Sequence, residues 1–430
     1  MVAHRVGSGS VHQSVSAVDL AAAAAATAAR IAAGDTQIRA FLPEPGRAAR
    51  LTAQAQEATR RWPAAADRPP LFGIATGVKD VIRVDGLPTA AGSRVPPAAL
   101  AGAEAGVVRR LRDAGALIAG KTVTAEFAMV APGPTRNPRD LRHTPGGSSS
   151  GSAAAVAAGL VPLALGTQTI GSVIRPAAYC GIAGYRPTHG RIPVDGVVPH
   201  SPTLDVVGCL AADVAGLAAA AAVLCDDWQA ATETGLPTLG IPVGPYLERA
   251  SRDALTSLRA QARLLVAAGY PVGEIPVLDD MAHVERLAQV ISRFEAAAVH
   301  ADWFDRYGEL YRPATAALIR DGRAIDRDEH AAAMVGRAGV VSNLTDVAGH
   351  AGIDLWIAPA ATGPAPASLS STGDPIMCMP WSLAGLPAVS IPAGTVDRLP
   401  VGLQCVGAAG TDEQLLSWAA AIAAALDRGN

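Results

Sequence analysis

The chain alternates between two textures. Short apolar runs with no helical face predict strands: "LFGIATGVKDVIRV" from Leu71, then "ALIAG", "LVPLALG", "TLGIPV", "LWIAPA" and "AVSIPAG". Between them lie segments of helical spacing such as "AEAGVVRRLRDAG", and strands interleaved with helices predict a layered α/β fold. Near the start, Ser16 is expected to cap an alanine-rich helix over about 17–33 that Gly34 ends, and "PEPGR" at 43–47 marks a loop before a second helix. Residues 226–345 read mostly as helix, from "SRDALTSLRAQARLLVAAG" to "MAHVERLAQVISRFEAAAVHADWF". We read that stretch as a helical elaboration, so residues 1–430 form one domain with its core at about 16–225 and 346–425.

Composition narrows the class of protein. Half the residues are hydrophobic and only 17% are charged, which suits a sizeable buried core. The net charge is −3 with no run of five or six like charges, so nucleic acid is not an expected partner. Cys180, Cys209, Cys225, Cys378 and Cys405 show no C-x-x-C pairing and no neighbouring His cluster. Reduced, buried thiols in the cytoplasm are the expectation, with no metal and no cofactor. The first residues carry one Arg and then polar residues through Ser16, unlike an export signal. Apolar stretches such as 153–165 are broken by Gly159, Pro162 and Gly166, short of the roughly 20 residues of a membrane helix.

Two motifs fail their context. "GALIAGKT", Gly115–Thr122, satisfies the phosphate-loop pattern, but its middle positions should themselves be strand, leaving Lys121 exposed at the strand's end. "GSSSG", Gly147–Gly151, matches a nucleophile elbow centred on Ser149, yet the polar, proline-broken "PTRNPRDLRHTP" precedes it instead of a strand. A histidine-dependent hydrolase would need His283, His300, His330 or His350 as base, and none has a distinctive setting.

A third arrangement fits better. In "GTQTIGSVIRPAAYCG" a second serine, Ser172, follows small residues whose successive N–H groups can converge on one point, as an oxyanion requires. Upstream, Lys79 ends the apolar strand "GIATGVKD", where loss of water disfavours the ammonium. Bringing a lysine from about 10.4 to near 7 takes roughly 5 kcal/mol. Lys–Ser pairs are an alternative to His for activating a serine.

With "GVKD", "TPGGSSSGSAAAVAAGLVPLALGTQTIGSVIRPAAYCGIAGYRPTHGRIP" and "PWSLAGLPAVSIPAG...PVGLQCVG", the chain resembles the amidase signature family of Ser-Ser-Lys amide hydrolases over about 16–420, least across 226–345. The resemblance implies a central twisted mixed β-sheet covered by helices on both faces. It also implies hydrolysis of a small amide through an acyl-enzyme, with Ser172 as nucleophile, Ser148 as the bridge after a cis Gly147–Ser148 peptide, and Lys79 as base. Thr169, Ile170, Gly171 and Ser172 would supply the oxyanion N–H groups. Ser149 either supports Ser148 by hydrogen bonding or, with Ser150, caps the helix that follows. Homodimerisation is a family habit.

Ile170 stands where the family often has glycine, which would strain the turn if φ were positive, and Gln168 replaces a frequent Asp. Arg175, three residues beyond Ser172 in a stretch that Pro176 should keep extended, could hold a substrate carboxylate or form a structural ion pair. "GSVIRPA" is similar to malonamidase-like members, where the matching arginine binds a carboxylate. A carboxylated primary amide or urea derivative is thus the expected substrate, with "STGDP" (371–375) and "MPW" (379–381) on the pocket's far side. The glutaminase subunit of an amidotransferase and a non-catalytic scaffold are the alternatives.

Overall fold

The ten strands of this computed structural model, which describes residues 19–231 and 235–429, hydrogen-bond into one mixed sheet. In chain order they are β1 (Ala75–Lys79), β2 (Leu117–Thr122), β3 (Leu163–Gln168), β4 (Ala183–Arg186) and β5 (Val206–Ala211), then β6 (Leu239–Val243), β7 (Val272–Pro276), β8 (Leu355–Pro359), β9 (Ala388–Val396) and β10 (Leu399–Val406). Their spatial order is β2-β1-β3-β5-β4-β9-β10-β8-β6-β7. Pairing is parallel at both ends (β2–β1–β3 and β8–β6–β7) and antiparallel between. β9 and β10 meet in a two-residue turn, Asp397 and Arg398, both at positive φ as a tight hairpin demands.

Side chains alternate across the sheet. On β3, Leu163 and Leu165 enter one apolar core while Ala164 faces the opposite one. On β8, Leu355 and Ile357 join the first core and Trp356 and Ala358 the other side. Strands β1 to β5 are buried throughout, as a sheet covered on both faces requires.

The helices are α1 (Leu20–Ile38), α2 (Arg47–Arg61), α3 (Gly106–Asp113), α4 (Ser150–Ala157), α5 (Ile174–Cys180), α6 (Val214–Leu224) and α7 (Arg252–Ala267), followed by α8 (Met281–Val299), α9 (Ala301–Tyr307), α10 (Pro313–Ala324), α11 (Arg327–Ala351), α12 (Met379–Ala384) and α13 (Asp412–Gly429). α3, α6, α7 and α13 cover one face, and α4, α5, α8 and α12 the other. No helix among the described residues is long and apolar enough to cross a membrane.

Several expectations need correction. Ser16 lies outside the described residues, and α1 is capped by Asp19, whose side chain accepts from Ala21 N–H. The helix runs through Gly34 and stops at Arg39, in the left-handed conformation. There the Asp35 carboxylate takes the N–H groups of Ala40 and Phe41, so the chain ends its helix where a side chain meets its backbone donors. Residues 226–345 supply not only their helices and β6, the expected "TLGIPV" strand, but also the unexpected β7, and the two extend the sheet beyond β8. "GALIAGKT" does form strand β2, but Lys121 is 4% exposed and pairs with Asp80 at 2.8 Å, because Asp80 and Thr89, from the segment after β1, fold over its amine. Arg175 and Pro176 lie in helix α5, not in an extended stretch; proline is tolerated in a first turn, where its missing N–H has no helical partner.

The approach of α4 to the sheet depends on small side chains. Ala153, Ala154 and Ala155 are fully buried, and Gly151 N–H donates to the Val123 carbonyl at 2.9 Å. A Cβ on Gly151 would lie 2.2 Å from the Ala40 carbonyl oxygen and 2.4 Å from Val123 N. Gly151→Ala is therefore expected to lose about 1–3 kcal/mol in urea denaturation. Gly339→Ala, in the exposed middle of α11 with nothing within 4 Å of the new Cβ, should gain about 0.5–1 kcal/mol. A neutral Gly151→Ala would contradict this packing.

Candidate active site

Lys79 ends β1, and its parallel neighbour β3 ends in Thr167 and Gln168, so two adjacent strands deliver these residues to one edge. Ser148 and Ser149 lead into helix α4 beside them, and α5 starts just after Ser172. Strand carboxyl ends meeting helix N-termini are the usual place for a site in an α/β sheet.

Lys79 is fully buried. Its Nζ lies 2.8 Å from Ser148 Oγ, 3.0 Å from Ser149 Oγ, 2.7 Å from Thr167 Oγ1 and 3.3 Å from the Thr167 carbonyl. No carboxylate is among these partners. Burial pushes the amine well below its ordinary value near 10.5; Asp205 pulls it partly back and Arg175 adds to the fall.

Ser148 follows the cis peptide from Gly147. Gly147 itself is crowded: a Cβ there would lie 2.6 Å from the Thr372 methyl. Ser149 holds the N-cap position of α4 but does not cap it. Its hydroxyl instead meets Lys79, donates to the Thr167 carbonyl at 3.1 Å and accepts from Thr167 N–H at 3.2 Å. Among the described residues no histidine bonds to it, so the elbow reading finds no base there. Ser149 N–H donates to the Ser172 carbonyl at 3.3 Å, which sets Ser172 alongside Ser148 and Ser149.

The turn Thr169–Ser172 is tied at its start: Thr169 Oγ1 donates to Asp205 at 2.5 Å and lies 3.2 Å from His200 Nδ1. Past the turn, Gln168 Oε1 accepts from Val173 N–H and Ile174 N–H. Among the described residues no protein acceptor takes the N–H groups of Ile170, Gly171 or Ser172. Ile170 does not adopt a positive φ, so its side chain adds no backbone strain there.

Arg175 is 4% exposed and forms no ion pair with an Asp or Glu among the described residues. Its Nη2 donates to the Gly147 carbonyl at 2.5 Å and to Thr372 Oγ1 at 3.3 Å, while Nε and Nη1 have no partner. Thr372 of "STGDP" thus touches the arginine, and Pro375 packs on Gly171. Trp381 of "MPW" is instead buried in the core against Tyr246. The sequence reading missed Thr167 as a lysine partner, although it lies inside "GTQTIGS", and missed Asp205, His200 and Ser382, which reach the turn only through the fold. No His, Cys, Asp or Glu cluster suited to a metal exists among the described residues.

Residues 22–302 and 341–416 match the family model described as Amidase. A glutamyl-tRNA(Gln) amidotransferase subunit from Chloroflexus aggregans is 35% identical, with 88% of this chain and 87% of that protein covered. A crystal structure of an amidase superposes with a TM-score of 0.86 at 29% identity, covering 95% of this chain and 96% of that one. A structure from a protein complex bearing on the origins of an s-triazine catabolic enzyme gives 0.83 at 28% identity, with 96% of each chain covered. The sheet, the buried lysine among serines and these likenesses agree: the chain belongs to the amidase family and is a hydrolase of carbon–nitrogen bonds other than peptide bonds.

Proposed function

We propose that the protein hydrolyses a small carboxylate-bearing amide, or a carboxylated urea derivative, by a Lys79–Ser148–Ser172 relay through an acyl-enzyme. A neutral amine has two hydrogens and one lone pair, so among the oxygens around Nζ one hydroxyl must aim its hydrogen at the nitrogen. Ser148 is that hydroxyl in this reading. Lys79 takes its proton as Ser148 takes the proton of Ser172, and Ser172 Oγ attacks the carbonyl. The N–H groups of Thr169, Ile170, Gly171 and Ser172 meet the developing negative charge. Run backwards, the relay protonates the leaving nitrogen, ammonia or an amine departs, and water then attacks the acyl-enzyme. Ser149 supports the relay by holding Lys79 and Thr167.

The substrate class rests on one observation: a buried guanidinium with two unpartnered nitrogens and, among the described residues, no ion pair to an Asp or Glu, the charge of Asp374 being felt only from beyond that distance. An unpaired buried charge is costly, and a substrate carboxylate would relieve it. The likeness to an amidotransferase component favours a second reading, release of ammonia from glutamine for a partner protein. Glutamine also carries a carboxylate, so chain length separates the two.

Ser172→Ala and Lys79→Ala, folded by circular dichroism, should each lose about 10⁴-fold or more in ammonia release; activity near wild type would sink the relay. Because the active base is the neutral amine, kcat/KM should rise with pH through the lowered ionisation of Lys79 and level off well below 10.5. In Arg175→Ala the preference for an acid-bearing amide over its methyl ester should fall about 30-fold or more. Equal discrimination in both proteins would remove the carboxylate role. Across a panel, three-carbon amide acids should outrun glutamine, and the reverse order would favour the glutaminase reading.

A further inference from the structure

Thr169–Ser172 belong to neither helix nor strand. An oxyanion donor works only if its N–H is aimed before the reaction. Two buried side chains from outside the turn do the aiming. Gln168 Oε1 accepts from Val173 N–H at 2.8 Å and Ile174 N–H at 3.0 Å, and its Nε2 donates to Ser382 Oγ at 2.9 Å. Ser382, on α12, in turn donates to the Ile170 carbonyl. Since the Gln168 amide already donates to that hydroxyl oxygen, its single hydrogen is left for Ile170, and the direction of the chain of bonds is fixed.

In a trans peptide the C=O and N–H point opposite ways. The Ile170–Gly171 peptide is trans. Holding the Ile170 oxygen toward Ser382 therefore turns Gly171 N–H to the side away from α12. The same bond polarises the peptide and strengthens that N–H as a donor. Gly171 has little room to drift, since a Cβ there would lie 3.1 Å from Pro375 Cβ and 3.3 Å from Cys378 Cβ. Meanwhile Gln168 draws off the two N–H groups that follow the turn, leaving those within it open. α12 is itself held, with Arg186 Nη2 donating to the Ser382 carbonyl at 3.3 Å and Arg337 Nε to the Leu383 carbonyl at 2.7 Å.

We infer that Ser382, buttressed by Gln168, is a positioning residue for the oxyanion donor Gly171 N–H, acting through the Ile170 carbonyl and touching no substrate. The inference rests on the reading of Ser172 as nucleophile. Its effect falls on the transition state and not on ground-state binding, because charge grows on the oxygen only during attack.

The test compares wild type, Ser382→Ala and Ser172→Ala in ammonia release and in the Ki of a trifluoromethyl ketone analogue of the best amide. Ser382→Ala should lower kcat about tenfold or more, toward the 10²–10³ of a lost donor, with KM unchanged and Ki raised in step. Ser382→Cys, of similar size but a weaker donor, should fall between them, and it carries the test should the alanine variant lose its fold by circular dichroism. A Ki that stays at the wild-type value, or a loss carried by KM, overturns the inference. Activity retained in Ser172→Ala instead overturns the nucleophile assignment.

Discussion

A lysine amine held away from water among hydroxyls, with no carboxylate bonded to it among the described residues, is the constraint on which the rest of the site depends. The sequence contains only two lysines, Lys79 and Lys121, both buried and both on neighbouring strands of one sheet edge. Lys121 meets Asp80 at 2.8 Å and Thr89 Oγ1 at 2.8 Å, so its charge has a partner. Among the described residues Lys79 bonds only serine and threonine oxygens, and the carboxylate that pulls its ionisation back is Asp205, which is occupied by Thr169, His200 N–H and Ser201 N–H. Similar burial thus gives two different environments: an ion pair beside β1 and β2, and an amine among hydroxyls whose ionisation is lowered, as the proposed base requires.

Small residues make that environment attainable. Lys79 can reach Ser148, Ser149 and Thr167 together only if α4 comes down onto the ends of β1 and β3. Gly151 admits the backbone of Ala40 and Val123, and Gly166 leaves space for Ser149, whose Oγ would lie 2.7 Å from a Cβ at that position. Arg175 ties the carbonyl before Ser148, and Ser382 the carbonyl before Gly171. The peptides before Ser148 and Gly171 are thus each held by a buried donor from a separate element.

The sequence made the strands legible where apolar runs stood between helical segments, as in β1, β3 and β8. It hid β4, whose "AGYR" is only four residues long, and β7, whose partly exposed "VGEIP" lies at the sheet edge and mixes charge with proline. Lys79, Ser148, Ser149, Ser172 and Arg175 were legible because they sit in short motifs or at a strand's end, and the structure brings them to one place. The Gln168–Ser382 contact was not, since 214 residues separate its partners and nothing local marks Ser382. The same limit misplaced Lys121: exposure at a strand's end depends on what covers the edge, which is a tertiary fact.

The central claim is that the Lys79 amine gives up its proton well below the range of an ordinary lysine. Because the chain has two lysines, protein labelled with ¹³C at lysine Cε gives two signals, which Lys121→Met assigns. Lys79 should keep the neutral-amine shift down to a pH well below the ordinary 10.5 and take up its proton only beneath it. A Lys79 signal that stays protonated into the range of an ordinary lysine would contradict the account.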